Sequence, residues 1–140
     1  MKNLLSILLI IFTTNLLLPD AHAQEKTDFN RYVMQTDQLV QKVENIQRNL
    51  RTGKFRIAFP DVCKDIVEHA TVRHSYFLKA KKAFKAGNQR AAVEALRSAR
   101  KIIKRDVEQL TSLRDREATS EILRLEQELG REVDSLLRML

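Results

Sequence analysis

Glycine and proline are scarce and widely spaced in this chain of 140 residues, which has three glycines and two prolines. After residue 23, only Gly53, Pro60, Gly87 and Gly130 interrupt long runs of Ala, Leu, Glu, Lys, Arg and Gln, which are strong helix formers. Apolar residues recur in these runs at intervals of three and four, and the alternation typical of a β-strand is missing. The sequence therefore predicts an all-α fold.

The first two predicted helices flank a short connector. One runs from about Asp28 to Arg51, with Thr27 or Asp28 as its cap, and Gly53 ends it. Its apolar stripe comprises Phe29, Val33, Thr36, Val40, Val43, Ile46 and Leu50. The next begins at Pro60, which suits a first helical turn, and runs to about Ala86. Its stripe comprises Cys63, Val67, Ala70, His74, Phe77 or Leu78, and Phe84. The connector carries Phe55, Ile57 and Phe59, which we expect to tuck under the bundle.

Two further helices complete the predicted fold. Gly87 and Asn88 stop the preceding helix and cap the third one, whose apolar residues are Ala92, Ala95, Leu96, Ala99, Ile102, Ile103, Val107 and Leu110. The last helix carries Ile122, Leu125, Leu129, Val133, Leu136 and Leu140. The apolar phase shifts across residues 114–121, which favours a turn near residues 115–120 over one continuous helix. The expected architecture is a small up-and-down bundle of three to four helices.

Residues 1–23 have a different character from the rest of the chain. Lys2 precedes an apolar core over residues 4–18, and the helix breaker Pro19 follows. The sequence Ala21-His22-Ala23 then matches an A-x-A cleavage site. This pattern predicts a cleaved secretory signal peptide, whereas a membrane anchor would need a longer apolar run. We therefore expect a single domain over residues 24–140, located in the periplasm or secreted.

Positive charge is concentrated between Arg73 and Arg105. The chain has a formal net charge of +7, and this segment holds eleven Lys or Arg residues with Glu94 as its one acidic residue. Residues 106–140, in contrast, carry more acidic than basic residues. We call residues 73–105 the basic hairpin. Its outward cations would suit an anionic protein or an anionic membrane surface, and the candidate contacts are Lys79, Lys82, Lys85, Arg97, Lys101 and Lys104.

Other interpretations of the basic hairpin stay open. Its charges could form a solvated surface that the acidic last helix partly neutralises. Nucleic acid is a less suitable partner, because export argues against it and no aromatic residues interleave with the cations for base stacking. A separate possibility is a structural subunit that forms a homo-oligomer through Leu125, Leu129 and Leu136 of the last helix.

Part of the basic hairpin resembles one tetratricopeptide repeat. The matching positions are Tyr76, Ala80, Gly87, Ala92, Leu96 and Ala99. Lys79 stands where that family has an apolar residue, and Lys104 stands where it has proline. The resemblance covers residues 76–99 alone, and a single repeat cannot form a solenoid. It implies protein or peptide binding and carries over no site residues.

Metal or haem binding is the alternative function that the sequence suggests. His69 and His74 are the candidate metal ligands, but they point in directions about 140° apart on one helix. Additional ligands would have to come from another helix, such as Met34 or Glu44, and Met34 with His74 could form a haem axial pair. Structural roles are the simpler explanation, with His74 as a core histidine.

Two further pairings are open at the sequence level. Asp65 and His69 are four residues apart, so they could share a metal ion or a hydrogen bond. Cys63, the one cysteine, is expected to be buried, although an unpaired exported cysteine could also form an intermolecular disulfide.

No catalytic fingerprint is present. We therefore expect a binding protein without enzymatic activity and without a cofactor.

Overall fold

A computed structural model describes the backbone of residues 21–140 and the side chains of residues 28–140. Most of the predicted signal peptide, residues 1–23, lies outside the described residues. The helices are α1 (Ala21–Thr52), α2 (Lys54–Ala58), α3 (Pro60–Lys85), α4 (Gln89–Thr111) and α5 (Arg116–Met139). The predicted all-α fold is thus confirmed. The start of the first helix was predicted wrongly, because α1 continues through Thr27 and Asp28 without a cap there.

The four long helices form a closed ring of neighbours. α1 packs against α3 and α5, and α4 packs against the same two helices from the opposite corner. Side-chain pairs give the directions. Asp37 pairs with Lys81 and Glu44 with His74, so positions advance along α1 as they recede along α3. The same relation links α1 to α5, where Tyr32 contacts Met139 and Lys42 pairs with Glu132. The architecture is therefore an up-and-down four-helix bundle with antiparallel neighbours.

Turn residues act at the helix ends much as the sequence predicted. Gly87 has φ of 71°, a left-handed conformation that glycine adopts without steric cost, and it ends α3. The side chain of Asn88 then accepts a hydrogen bond from the Ala91 amide at 3.1 Å and caps α4. Asp115 caps α5 through the Ala118 amide at 3.1 Å, which confirms a turn between the last two helices. The turn covers residues 112–115, whereas residues 116–120 of the predicted turn already belong to α5.

The connector between α1 and α3 is only partly buried. Residues 54–58 form the short helix α2, in which Phe55 is fully buried and packs on Phe59, with ring centroids 5.6 Å apart. Phe59 itself is half-buried. Ile57, in contrast, is 87% exposed, so the prediction that all three apolar residues tuck under the bundle was wrong for Ile57. One turn of helix presents opposite faces, and Ile57 lies on the outer one.

The apolar stripes predicted for α1, α4 and α5 form much of the core, whereas α3 buries Ile66 and Arg73, each one position before the predicted Val67 and His74. Fully buried members come from every long helix, including Val43, Phe77, Leu96 and Leu129. The choice between Phe77 and Leu78 is resolved in favour of Phe77, since Leu78 is exposed. Where two stripes meet closely, glycine makes room: a β-carbon on Gly130 would lie 3.3 Å from the Ile103 Cγ2 atom. α4 and α5 thus approach each other through a position without a side chain.

Candidate partner-binding surface and buried charge network

The structure divides the eleven cations of the basic hairpin into two groups. Arg73, Lys81, Arg90 and Arg100 each form an ion pair with a carboxylate. The other seven have no carboxylate within ion-pair distance among residues 28–140, and these are Lys79, Lys82, Lys85, Arg97, Lys101, Lys104 and Arg105. All seven are exposed. The six candidate contacts are therefore all outward-facing, whereas Arg73 does not belong to the surface at all.

The exposed cations follow simple helical geometry. Arg97, Lys101 and Lys104 lie within about 60° of one another around α4, so they form one row along its outer side. Lys79, Lys82 and Lys85 occupy the last two turns of α3 and spread around its outer side over about 120°. The Nζ atom of Lys79 also lies 5.4 Å from the centre of the Tyr76 ring, a cation–π contact.

The acidic last helix uses its carboxylates elsewhere. Asp134 takes two hydrogen bonds from Arg100, at 2.7 and 2.9 Å, and Glu132 pairs with Lys42 of α1. Glu128 pairs with Arg124 on its own helix. Partial neutralisation of the basic hairpin by α5 is therefore limited to Arg100 and to the buried Arg73, which pairs with Glu126. The outer row on α4 keeps its charge.

A second polar site lies inside the bundle, where four ionisable side chains meet. The guanidinium of Arg73 makes a two-pronged contact with the Glu126 carboxylate, in which Nη2 donates to Oε1 at 2.7 Å. Its Nη1 atom also lies 3.2 Å from Oδ2 of Asp106. His69 Nδ1 lies 2.6 Å from the other oxygen of Asp106. Arg73, Asp106 and Glu126 are completely buried, and we call these four residues the buried charge network.

Burial dominates the electrostatics of this network. It raises the pKa of Glu126 and of Asp106, and the nearby Arg73 guanidinium opposes that rise in both. One guanidinium faces two carboxyl groups, so the ionised trio carries a net negative charge. A proton on either carboxyl group balances it, in the direction of their raised pKa values. Arg73 Nε, in addition, has no hydrogen-bond partner among the described residues.

The sequence contained a signal for this network that our prediction missed. Arg73 lies three residues after Ala70 and four before Phe77, directly in the apolar stripe of α3. Asp106 and Glu126 take equivalent positions in α4 and α5, between buried apolar residues. A charged residue at a stripe position in three separate helices indicates that the charges meet, since an isolated buried charge is costly.

The two candidate metal ligands lie on opposite flanks of α3. His69 faces α4 and contacts Asp106, so the alternative pairing with Asp65 was wrong. His74 faces α1, where its Nε2 atom lies 3.2 Å from Oε1 of Glu44. It is only half-buried, so its prediction as a core histidine was also wrong. Each histidine thus has a different carboxylate partner, and the structure does not bring the two together.

A shared haem or metal site gains no support from the neighbouring residues. Met34 is 66% exposed and lies ten residues before Glu44, about 15 Å along α1 from the partner of His74. Among the described residues, no three His, Cys, Asp or Glu side chains are grouped so that they could hold a metal ion.

Cys63 is buried, as the sequence suggested. Its side chain is largely inaccessible, and the Sγ atom donates a weak hydrogen bond to the Leu50 carbonyl oxygen at 3.3 Å. Burial raises the pKa of the thiol, and the charge of Arg56 opposes that rise.

The last helix directs its apolar residues into its own bundle. Leu129 and Leu136 are buried, and Leu125 is half-buried. An oligomer contact through Leu129 and Leu136 would therefore compete with the core of the protomer. No helix within the described part of the chain is both long and apolar enough to cross a membrane.

Comparison with known proteins provides no assignment for this site. No protein-family model, curated protein or solved structure matches the chain significantly. The resemblance to a tetratricopeptide repeat thus stays confined to the α3–α4 hairpin, where Ala80, Ala92 and Ala99 are buried at the close helix contact.

Proposed function

We propose that this protein is an exported binding protein without enzymatic activity, which attaches to an anionic macromolecule through the basic hairpin. The partner would be an acidic protein or an anionic membrane surface. The contact residues would be Lys79, Lys82, Lys85, Arg97, Lys101 and Lys104.

The proposal rests on which cations of the basic hairpin have a carboxylate partner and which do not. Those that face neighbouring helices are paired, as Lys81 is with Asp37 and Arg100 with Asp134. Apart from Arg90, which pairs with Glu94 on its own helix, those that face outward have no carboxylate partner in residues 28–140. A cluster of unpaired cations produces a local positive potential that attracts an anionic partner over a distance set by ionic strength.

Binding can be tested with two defined probes, poly-L-glutamate and vesicles containing phosphatidylglycerol. We expect affinity for at least one probe to fall steeply with added salt, because exposed charges are screened beyond about 10 Å at 0.1 M salt. The variant Arg97→Glu/Lys101→Glu/Lys104→Glu should lose binding, since it reverses the row on α4. The probe that binds distinguishes a protein partner from a membrane surface.

A matched control separates the surface from net charge. The variant Arg48→Glu/Arg114→Glu/Arg138→Glu has the same net charge, and its three positions are exposed and unpaired within residues 28–140. It should retain binding if the basic hairpin is the contact surface. Equal loss in both variants, or salt-independent binding by the hairpin variant, would refute the proposal.

A further inference from the structure

A groove lies where the end of α1, the short helix α2 and the start of α3 meet. Its volume is about 450 Å³, within the range of small-molecule sites. Its lining residues are Leu50, Arg51, Arg56, Pro60, Cys63, Lys64 and Val67. Three of these are cationic, the other four offer apolar surface, and no carboxylate is among them. We call it the Cys63 groove.

The cations of this groove are available to a ligand. Arg51, Arg56 and Lys64 are exposed, and none forms an ion pair with a carboxylate of residues 28–140. Arg56 is held in place by its Nη1 atom, which donates a hydrogen bond to the Arg51 carbonyl oxygen at 3.3 Å. Arg56 and Cys63 line the same groove, so the cation of the rim lies beside the floor.

An exposed apolar side chain follows the rim residue Arg56 in the sequence, outside the groove lining. Ile57 follows Arg56 directly and is the most exposed large apolar residue among residues 28–140. Leu50 and Cys63, in contrast, are buried members of the core that reach the groove from below. An apolar floor beside a cationic rim is complementary to a molecule with an apolar chain and an anionic head.

We propose that the Cys63 groove binds a single-chain amphipathic anion, with its tail on Pro60 and Val67, above the buried Leu50, and its head group near Arg51, Arg56 and Lys64. Arginine suits this role because its planar guanidinium donates paired hydrogen bonds to a carboxylate or phosphate. The site is separate from the basic hairpin, and the inference does not depend on the proposed function.

Decanoate is the probe for this test, used well below its critical micelle concentration. Isothermal titration calorimetry should show saturable binding of decanoate, whereas acetate and decanol, which carry only the head or only the tail, should bind at least tenfold more weakly. Cys63, the one cysteine of the chain, reports the location. Because the Cys63 side chain is buried, it reacts with a neutral maleimide when the groove opens locally, and bound decanoate should slow that reaction.

Two variants with exposed substitutions test the role of the rim. Arg56→Gln/Lys64→Gln should weaken decanoate binding at least tenfold, the loss expected for a charge-assisted hydrogen bond. Arg48→Gln/Lys54→Gln is the matched control, since it removes the same charge at two exposed positions outside the groove lining. Each variant's maleimide rate is compared with its own rate without ligand.

Three outcomes would overturn the proposal. The first is equal binding of decanol and decanoate, which would make the rim irrelevant. The second is unchanged binding in the Arg56→Gln/Lys64→Gln variant. The third is protection of Cys63 by vesicles containing phosphatidylglycerol without binding of monomeric decanoate, which would identify a membrane contact instead of a ligand groove.

Discussion

Arg73 is the one Lys or Arg among residues 28–140 that is fully buried. Its side chain extends from α3 to Glu126 on α5, the helix at the diagonal corner of the bundle. It also faces Asp106 on α4, so one guanidinium links three helices. A buried ion pair contributes little net stability compared with apolar packing, but the loss of one partner leaves the others uncompensated.

At the residue scale, Arg73→Ala should therefore be strongly destabilising. We expect a loss of about 3–5 kcal/mol in the free energy of unfolding, because Glu126 would stay buried without its counter-charge. Urea denaturation, monitored by circular dichroism, measures this loss of stability. Lys81→Ala removes a more exposed ion pair with Asp37 and should cost about 0–1 kcal/mol. Similar losses in the two variants would contradict the network.

The same residues predict a pH dependence of stability. Burial raises the pKa of Glu126 and of Asp106, so the folded protein binds protons that the unfolded chain releases above about pH 4. The free energy of unfolding should then fall as pH rises from about 4 through the raised pKa values. Glu126→Gln should flatten this slope in thermal melts, whereas Glu121→Gln, at an exposed position, should preserve it.

At the element scale, the packing of α4 against α5 leaves little room for a side chain at Gly130. A β-carbon there would meet Ile103 Cγ2 at 3.3 Å and the Arg100 Nη1 atom at 3.4 Å. Ile103 is buried and β-branched, so it has little freedom to move aside. The two helices therefore pack closely because residue 130 has no side chain. The apolar stripes did not predict this feature.

Gly130→Leu should separate these two helices. We expect a loss of about 1–3 kcal/mol in stability from overpacking, despite the higher helix propensity of leucine. Ser135→Leu, at an exposed position of α5, serves as the control and should change stability little. Chemical denaturation of both variants gives the comparison. A stable Gly130→Leu protein would show that the helix contact adjusts freely.

At the scale of the whole molecule, paired charges lie between the helices and unpaired cations lie on the outer surface. Residues inside the ring pair across helices, while the outer sides of α3 and α4 keep unpaired cations within the described chain. The last helix takes part in the core through Leu129 and Val133. Any self-association that uses Leu129 would have to open the protomer.

This arrangement predicts the behaviour of Leu129→Glu. A carboxylate at this fully buried position would have no partner. The free energy of unfolding should therefore fall by several kcal/mol, and the variant should unfold. Thermal melts at protein concentrations a hundredfold apart should show the same low midpoint. A folded variant that changes only from oligomer to monomer would instead support assembly through this face.

The sequence by itself determined the helices, because helix propensity and the spacing of apolar residues are local properties. It predicted the stripes of α1 and α4, the turn at Gly87 and the outward position of the six candidate cations on the same grounds. It also located the concentration of charge between Arg73 and Arg105. The prediction of a signal peptide over residues 1–23 rests on the sequence alone.

Only the tertiary structure decided which residues meet. Which carboxylate His69 contacts depends on the rotation and vertical register of α3 against α4, which a one-dimensional pattern does not specify. The burial of Arg73 depends on carboxylates 33 and 53 residues further along the chain. The Cys63 groove likewise requires the packing of three elements. Long-range pairing is set by packing and electrostatics across the bundle, beyond the range over which helical periodicity carries information.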